Sequence, residues 1–236
     1  MNKKNKVIVN TNKVDKNKKG SFLLLVDFFI LNIKTYGFFL TFLIGYYELI
    51  YFFIDNDNAP NVKYFKSSIL HNYIKVKPIK SHDKPYGPTP YYFLKVIEKQ
   101  IIKIEIKDFT FIDFGCGSGR VTNYFKNIFK IAIGIDKNKN YKKFSTSPKQ
   151  KFIHLNLRNL NKLNKIEKNI TGNRALYFNE PFDIFLVIKI IKLFLKRKIK
   201  CLVITTNTKI IKIKGLKIIF LKKFNNKENL RIYKYS

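Results

Sequence analysis

Cysteine is scarce in this sequence. The 236 residues contain two, Cys116 and Cys201, and no C-x-x-C pair. Two cysteines exclude a disulfide-rich scaffold. The three histidines, His71, His82 and His154, lack metal-ligand spacing, so no metal site is expected. No Ser/His/Asp set and no pair of carboxylates at acid–base spacing stands out. Acidic residues number 15 against 47 basic ones, a net charge of +32. Arginine is rare among the basic residues, with 5 of the 47. A dedicated reader of bases favours arginine, whose fork pairs bidentately with guanine. These shortages describe a metal-free, cytoplasmic protein.

Lys, Ile, Asn, Phe and Tyr make up 138 residues, and all five can be coded by A and T alone. Much of the lysine excess is therefore read as codon bias. The charge is still physically real: it favours acidic partners, nucleic acid among them, and makes such binding salt-sensitive. Hydrophobic residues at 46% exclude wholesale disorder. The length suits one domain with extensions, or at most two small ones, and a chain of this size buries roughly 70% of its unfolded surface.

Residues 1–20 carry seven lysines and read as a basic, disordered tail. Residues 21–85 read as an N-terminal helical extension and linker. Within them Thr35 to Ile54 holds a single charge, Glu48, over a length that could span a bilayer. Three features count against a span. Phe39, Phe42, Tyr46, Leu49 and Phe53 form one stripe while Gly37, Thr41, Gly45 and Glu48 share another side. Asp27 and Lys34 interrupt the preceding apolar run, and both flanks are lysine-rich, so neither orients a span. No small-residue cleavage site follows the run, as a signal peptide would require. The expectation is a helix packed on the domain, with membrane contact through 21–54 the less favoured reading.

Residues 55–90 are rich in Asn, Pro, Lys and Tyr and end in Tyr86-Gly87-Pro88-Thr89-Pro90, where regular structure is excluded. From there the pattern alternates. Helices are predicted over 91–105, 119–129 and 182–198. Strands are predicted over 109–114, 131–135, 152–157, 175–178, 201–205, 216–224 and 230–235. Alternation of this kind gives right-handed crossovers and a parallel sheet. The last two strands, joined by Asn225-Asn226-Lys227-Glu228, form an antiparallel hairpin on its edge. The fold class is thus α/β: a Rossmann-like, mostly parallel seven-stranded sheet occupying 86–236.

The informative stretch runs from Phe111 to Val121. A hydrophobic strand enters glycines at 115, 117 and 119, and a helix follows. Glycine permits the tight turn and a close ligand approach at the carboxyl end of the strand. The dinucleotide pattern G-x-G-x-x-G fails, because Arg120 or Thr122 stands where its third glycine belongs. The pattern is D-x-G-x-G-x-G. Asp113, two residues before the first glycine, would repel a pyrophosphate and suits a cation. Asp136 follows 23 residues later at the end of the next strand, where a carboxylate can hold both ribose hydroxyls. S-adenosylmethionine, with a ribose and a cationic part, fits both acids.

This stretch resembles the class I S-adenosylmethionine-dependent methyltransferases over residues 86–236. Asp113, Gly115, Gly117 and Gly119 match the family's first motif, and Asp136 matches its ribose-binding acid. The Y-G-P-T-P segment before the glycine motif looks more specifically like little-characterised bacterial methyltransferases that are distantly similar to non-SET histone-lysine methyltransferases. That likeness implies a cofactor-side role for Tyr86 and Thr89. Asn156 stands where many relatives carry an acid that contacts the adenine.

In Tyr177-Phe178-Asn179-Glu180-Pro181-Phe182 two family patterns align, the N-P-F of the bacterial group and the N-P-P-[YF] of amino-methyltransferases. Both depart at Glu180. The second implies that Asn179 accepts hydrogen bonds from a target amine and Phe182 packs on a planar substrate. A plain helix cap at Asn179 accounts for it equally well. The resemblance thus implies a methyltransferase; the departure at Glu180 leaves the acceptor open, with a protein or small molecule favoured. Two rivals stay open: a nucleic-acid amino-methyltransferase steered by the charge, and a non-catalytic basic scaffold that binds membrane or acidic partners.

Overall fold

Runs of β-branched and aromatic residues form strands because those side chains pack well on a buried, pleated surface. The computed structural model describes residues 21–54, 89–117, 119–137, 147–179, 184–195, 199–206, 210, 213–224 and 229–235. Among these, seven such runs are strands: β1 (Thr110–Phe114), β2 (Ile131–Asp136), β3 (Gln150–His154), β4 (Arg174–Asn179), β5 (Cys201–Thr206), β6 (Leu216–Lys223) and β7 (Asn229–Tyr235). They form one sheet in the order β3-β2-β1-β4-β5-β7-β6. Strands β1 to β5 are mutually parallel, and β7 runs antiparallel to both β5 and β6. The expected terminal hairpin is present, but it is β7, not β6, that pairs with β5. The chain passes the edge position first and fills the inner position last.

Strand β1 is buried along its whole length, as is β5. Strands covered on both faces read as continuous apolar runs, which is why both were visible in the sequence. Alternation divides their side chains between two cores. On one face Phe111, Tyr177 and Ile204 pack with Leu94 and Ile97 of α3 (Tyr91–Ile101) and Phe125 of α4 (Arg120–Phe125). On the other, Ile112, Phe114 and Phe178 pack with Leu163 of α5 (Leu160–Asn169) and Val187, Ile191 and Phe194 of α6 (Ile184–Phe194). Asp113 lies two residues after Phe111, so it shares the α3–α4 face.

Helix α5 was not expected. Its start is set by Asn159, whose side-chain oxygen accepts a hydrogen bond from the Lys162 amide at 3.1 Å. Helix α3 is shorter than expected, ending at Ile101.

The N-terminal extension is α1 (Ser21–Tyr36) and α2 (Phe38–Ile54), broken at Gly37, whose φ of +79° only glycine adopts cheaply. No helix among the described residues is long and apolar enough to cross a membrane. Helix α2 packs on the domain as expected, and it does so through the side opposite its aromatic stripe. Thr41 and Ile44 are buried, and Tyr47 and Tyr51 rest on the α3–α4 core, while Phe39, Phe42, Tyr46 and Leu49 point outward. The reason is Glu48. It accepts two hydrogen bonds from Arg120, at 3.0 and 2.9 Å, and one from the Tyr91 amide at 2.9 Å. A carboxylate matched to a guanidinium and to the first amide of a helix fixes which side of α2 faces inward.

Candidate functional site

The glycine turn begins where β1 ends. The Gly115 and Cys116 amides donate to the Ile135 carbonyl of β2, at 2.8 and 3.2 Å, and the Gly119 amide donates to Cys116 at 2.8 Å. The turn therefore folds over the carboxyl ends of β1 and β2. Gly115, Gly117 and Gly119 all have positive φ, which any side chain would resist. Gly119 is constrained twice, because a Cβ there would lie 2.5 Å from the Phe152 ring. Gly119→Ala is expected to lower stability by about 2 kcal/mol through backbone strain and overpacking. Urea unfolding measures this, and a variant as stable as the wild type would contradict the geometry.

The two acids predicted for the site are brought together. Asp136 ends β2 and accepts a hydrogen bond from the Gly117 amide at 3.0 Å. Asp113, in β1 two residues before the turn, is buried and accepts from the Thr122 hydroxyl at 2.9 Å. Burial raises its carboxyl to about 7; the Thr122 hydrogen bond opposes that rise, and the Asp136 charge adds to it. A cation placed beside this buried acid would favour the carboxylate and lower that value. Cys116 is buried, and burial first, then both acids, push its thiol well above its ordinary value. It fills space and is not a nucleophile.

A second cluster lies on the same sheet face, at the ends of β4 and β5. The Thr89 and Tyr177 hydroxyls share a hydrogen bond of 2.7 Å. Tyr177 is also hydrogen-bonded to Thr206, and burial raises its phenol. The Thr206 hydroxyl donates to Asn179 Oδ1 in a short contact. A chain of hydrogen bonds thus links the segment before α3 to the end of β4. Tyr177 and Thr206 were not anticipated as site residues. The register could have found Tyr177, since it pairs with Asp113.

Asn156 is exposed after β3, its side-chain oxygen accepting from the Arg158 amide at 3.1 Å. Tyr86 and Phe182 lie outside the described residues. No group of three or more metal-ligating side chains occurs among the described residues.

No family model matches this chain, and no curated protein matches it in sequence. Solved structures do. The protein yhhF of Escherichia coli, provisionally named a methyltransferase, superimposes with a TM-score of 0.50 at 12% identity, over 64% of this chain and 89% of its own. An S-adenosylmethionine-dependent methyltransferase from Anabaena variabilis gives 0.47 at 15% identity, over 61% and 84%. An rRNA methylase from Streptococcus thermophilus gives 0.44 at 11% identity, over 64% and 99%. The first of these likenesses shows the fold: a seven-stranded, Rossmann-like methyltransferase fold with an antiparallel C-terminal pair.

Proposed function

We propose that this chain is an S-adenosylmethionine-dependent methyltransferase. The observation that carries the reading is the Gly117–Asp136 hydrogen bond. It holds a carboxylate suited to a ribose against a glycine turn, near enough to the buried Asp113 for the two charges to interact. The chemistry of this donor set fits the cofactor. Asp113 offers negative charge to the cationic methionine end, Asp136 offers acceptors to ribose hydroxyls, and Gly115, Gly117 and Gly119 keep side chains out of the way. The family likeness gives Tyr86 and Thr89 a cofactor-side role, and Asn156, by its place after β3, a contact to the adenine. When bound, the cofactor supplies a methyl group on positively charged sulfur.

The protein's own task is alignment and exclusion of water, since an in-line displacement needs a free lone pair on the acceptor and no strong base. Asn179, oriented by Thr206 at the end of β4, and Phe182 are placed in sequence to hold the acceptor. The finer likeness, to bacterial proteins distantly similar to non-SET histone-lysine methyltransferases, is supported by the motifs around Thr89 and Arg120. It favours a protein or small-molecule acceptor. The net charge of +32 supports the rival, a nucleic-acid amine. Methyl transfer to nucleic acid would fall steeply with salt.

Calorimetric titration with S-adenosylhomocysteine tests the reading without needing the acceptor. Micromolar binding corresponds to about 8 kcal/mol. Asp136→Ala, which removes charged hydrogen-bond acceptors, is expected to cost about 1.5–3 kcal/mol of it, roughly ten- to hundred-fold in affinity. A folded wild type that does not bind would sink the proposal.

A further inference from the structure

We infer that the outward face of α2 docks on an anionic lipid surface. Five large apolar side chains of this helix, Phe38, Phe39, Phe42, Tyr46 and Leu49, are 51–74% exposed. The 39, 42, 46, 49 spacing lines four of them along one stripe of the helix. Val26 and Ile30 of α1 are exposed as well. No described residue covers them. The face does not hang loose, because Glu48 on the opposite side is tied to Arg120 and to the start of α3. A helix held in place with its phenylalanines outward is the kind of patch that marks an interaction site.

Charge selects the occupant. A second copy would bring another +32 against this one, and the repulsion opposes close association. A nucleic-acid platform interleaves cations with its aromatics. Helix α2 has no Lys or Arg, and its one charge, Glu48, faces the domain. A lipid surface needs the opposite arrangement: an uncharged aromatic and aliphatic face to enter the acyl boundary, and lysines beside it to meet the headgroups. The chain supplies the positive charge: +32 overall, with Lys34 in the last turn of α1 and none on α2 itself. Because Glu48 holds the other side to the domain, the geometry is that of a helix lying on a bilayer, not of a span.

The test uses the full chain and flotation with vesicles, either pure phosphatidylcholine or with phosphatidylglycerol added. Wild type is expected to float with the anionic vesicles at least about tenfold better than with the neutral ones, and less so at high salt. The double substitution Phe39→Glu, Phe42→Glu should abolish flotation and leave thermal melting unchanged. The protein contains no tryptophan, so Phe42→Trp provides a reporter whose emission should shift blue on anionic vesicles.

Three results would overturn the inference. One is flotation that the glutamates leave intact, which would assign binding to the lysines alone. Another is a fall in melting temperature in the glutamate variant, which would mean the chain itself covers this face. The third is a wild-type dimer that ignores vesicles and becomes monomeric in that variant, which would make a second copy the occupant.

Discussion

Glu167→Ala is expected to destabilise the fold by about 3–5 kcal/mol, the cost of leaving one member of a buried ion pair unmatched. Arg174 opens β4 and is completely buried. Its guanidinium donates to Glu167 Oε1 at 2.6 Å and to the Ile170 carbonyl at 2.8 Å, with the Phe194 carbonyl at 3.5 Å. The guanidinium carbon also lies 5.4 Å from the centre of the Phe194 ring. The carbonyls satisfy N–H groups, but among the described residues only Glu167 neutralises the charge. Losing it leaves a cation in a fully buried site, and arginine does not shed its proton. Total stability of a domain is about 5–15 kcal/mol, so this one change consumes a large share. Glu167→Gln keeps an acceptor and should fall between the two. The double variant Arg174→Met, Glu167→Leu should recover most of the loss, because the pair's own net contribution is small. Urea unfolding of the four proteins decides it. An alanine variant within about 1 kcal/mol of wild type would show that water reaches the guanidinium.

That pair illustrates what the sequence conceals. Against a background of 47 basic residues, one arginine gives no sign that it is buried. Helix α5 is hidden by the same composition. Leu160, Leu163 and Ile166 form its apolar side, but they sit among lysines and asparagines, and only the Asn159 cap announces it. The strands of the inner sheet were legible because burial on both faces demands unbroken apolar runs. The glycine turn and its two acids were legible because their spacing reflects backbone geometry and needs no partner from elsewhere.

The Thr89–Tyr177 contact joins residues 88 apart, and the Thr206–Asn179 contact joins residues 27 apart. No local pattern encodes either. The orientation of helix α2 is hidden for a third reason. Its periodicity was plain, but periodicity does not say which side faces inward when the polar side carries a carboxylate and the domain offers an arginine. The hydrophobic stripe lost that competition because Glu48 had a matched partner and the phenylalanines did not.

The affinity for S-adenosylhomocysteine is expected to depend on pH through Asp113, falling by up to tenfold per unit as pH drops below about 7. Burial, the largest cause, raises this carboxyl from 3.8 to about 7 in the free protein. A cationic amino group is held by the carboxylate, so below that value a proton competes with the ligand. Stability of the free protein should run the other way. A folded value above the unfolded one means that Asp113 contributes stability that is full below about pH 4 and lost as pH rises through about 7. The amount is on the order of 4 kcal/mol across the window.

The ligand should therefore raise the melting temperature more at about pH 8 than at about pH 6, where the buried carboxyl is already neutral. Asp113→Asn removes the titration while keeping the shape and an acceptor for Thr122. In that variant the affinity should be lower and flat with pH, and the melting curves should lose the part of their pH slope that Asp113 supplies. Titrations and melts of both proteins across this range test both halves. A wild-type affinity that stays constant from about pH 8 to about pH 6 would mean that Asp113 faces no cation, and would move the methionine end of the site elsewhere on the turn.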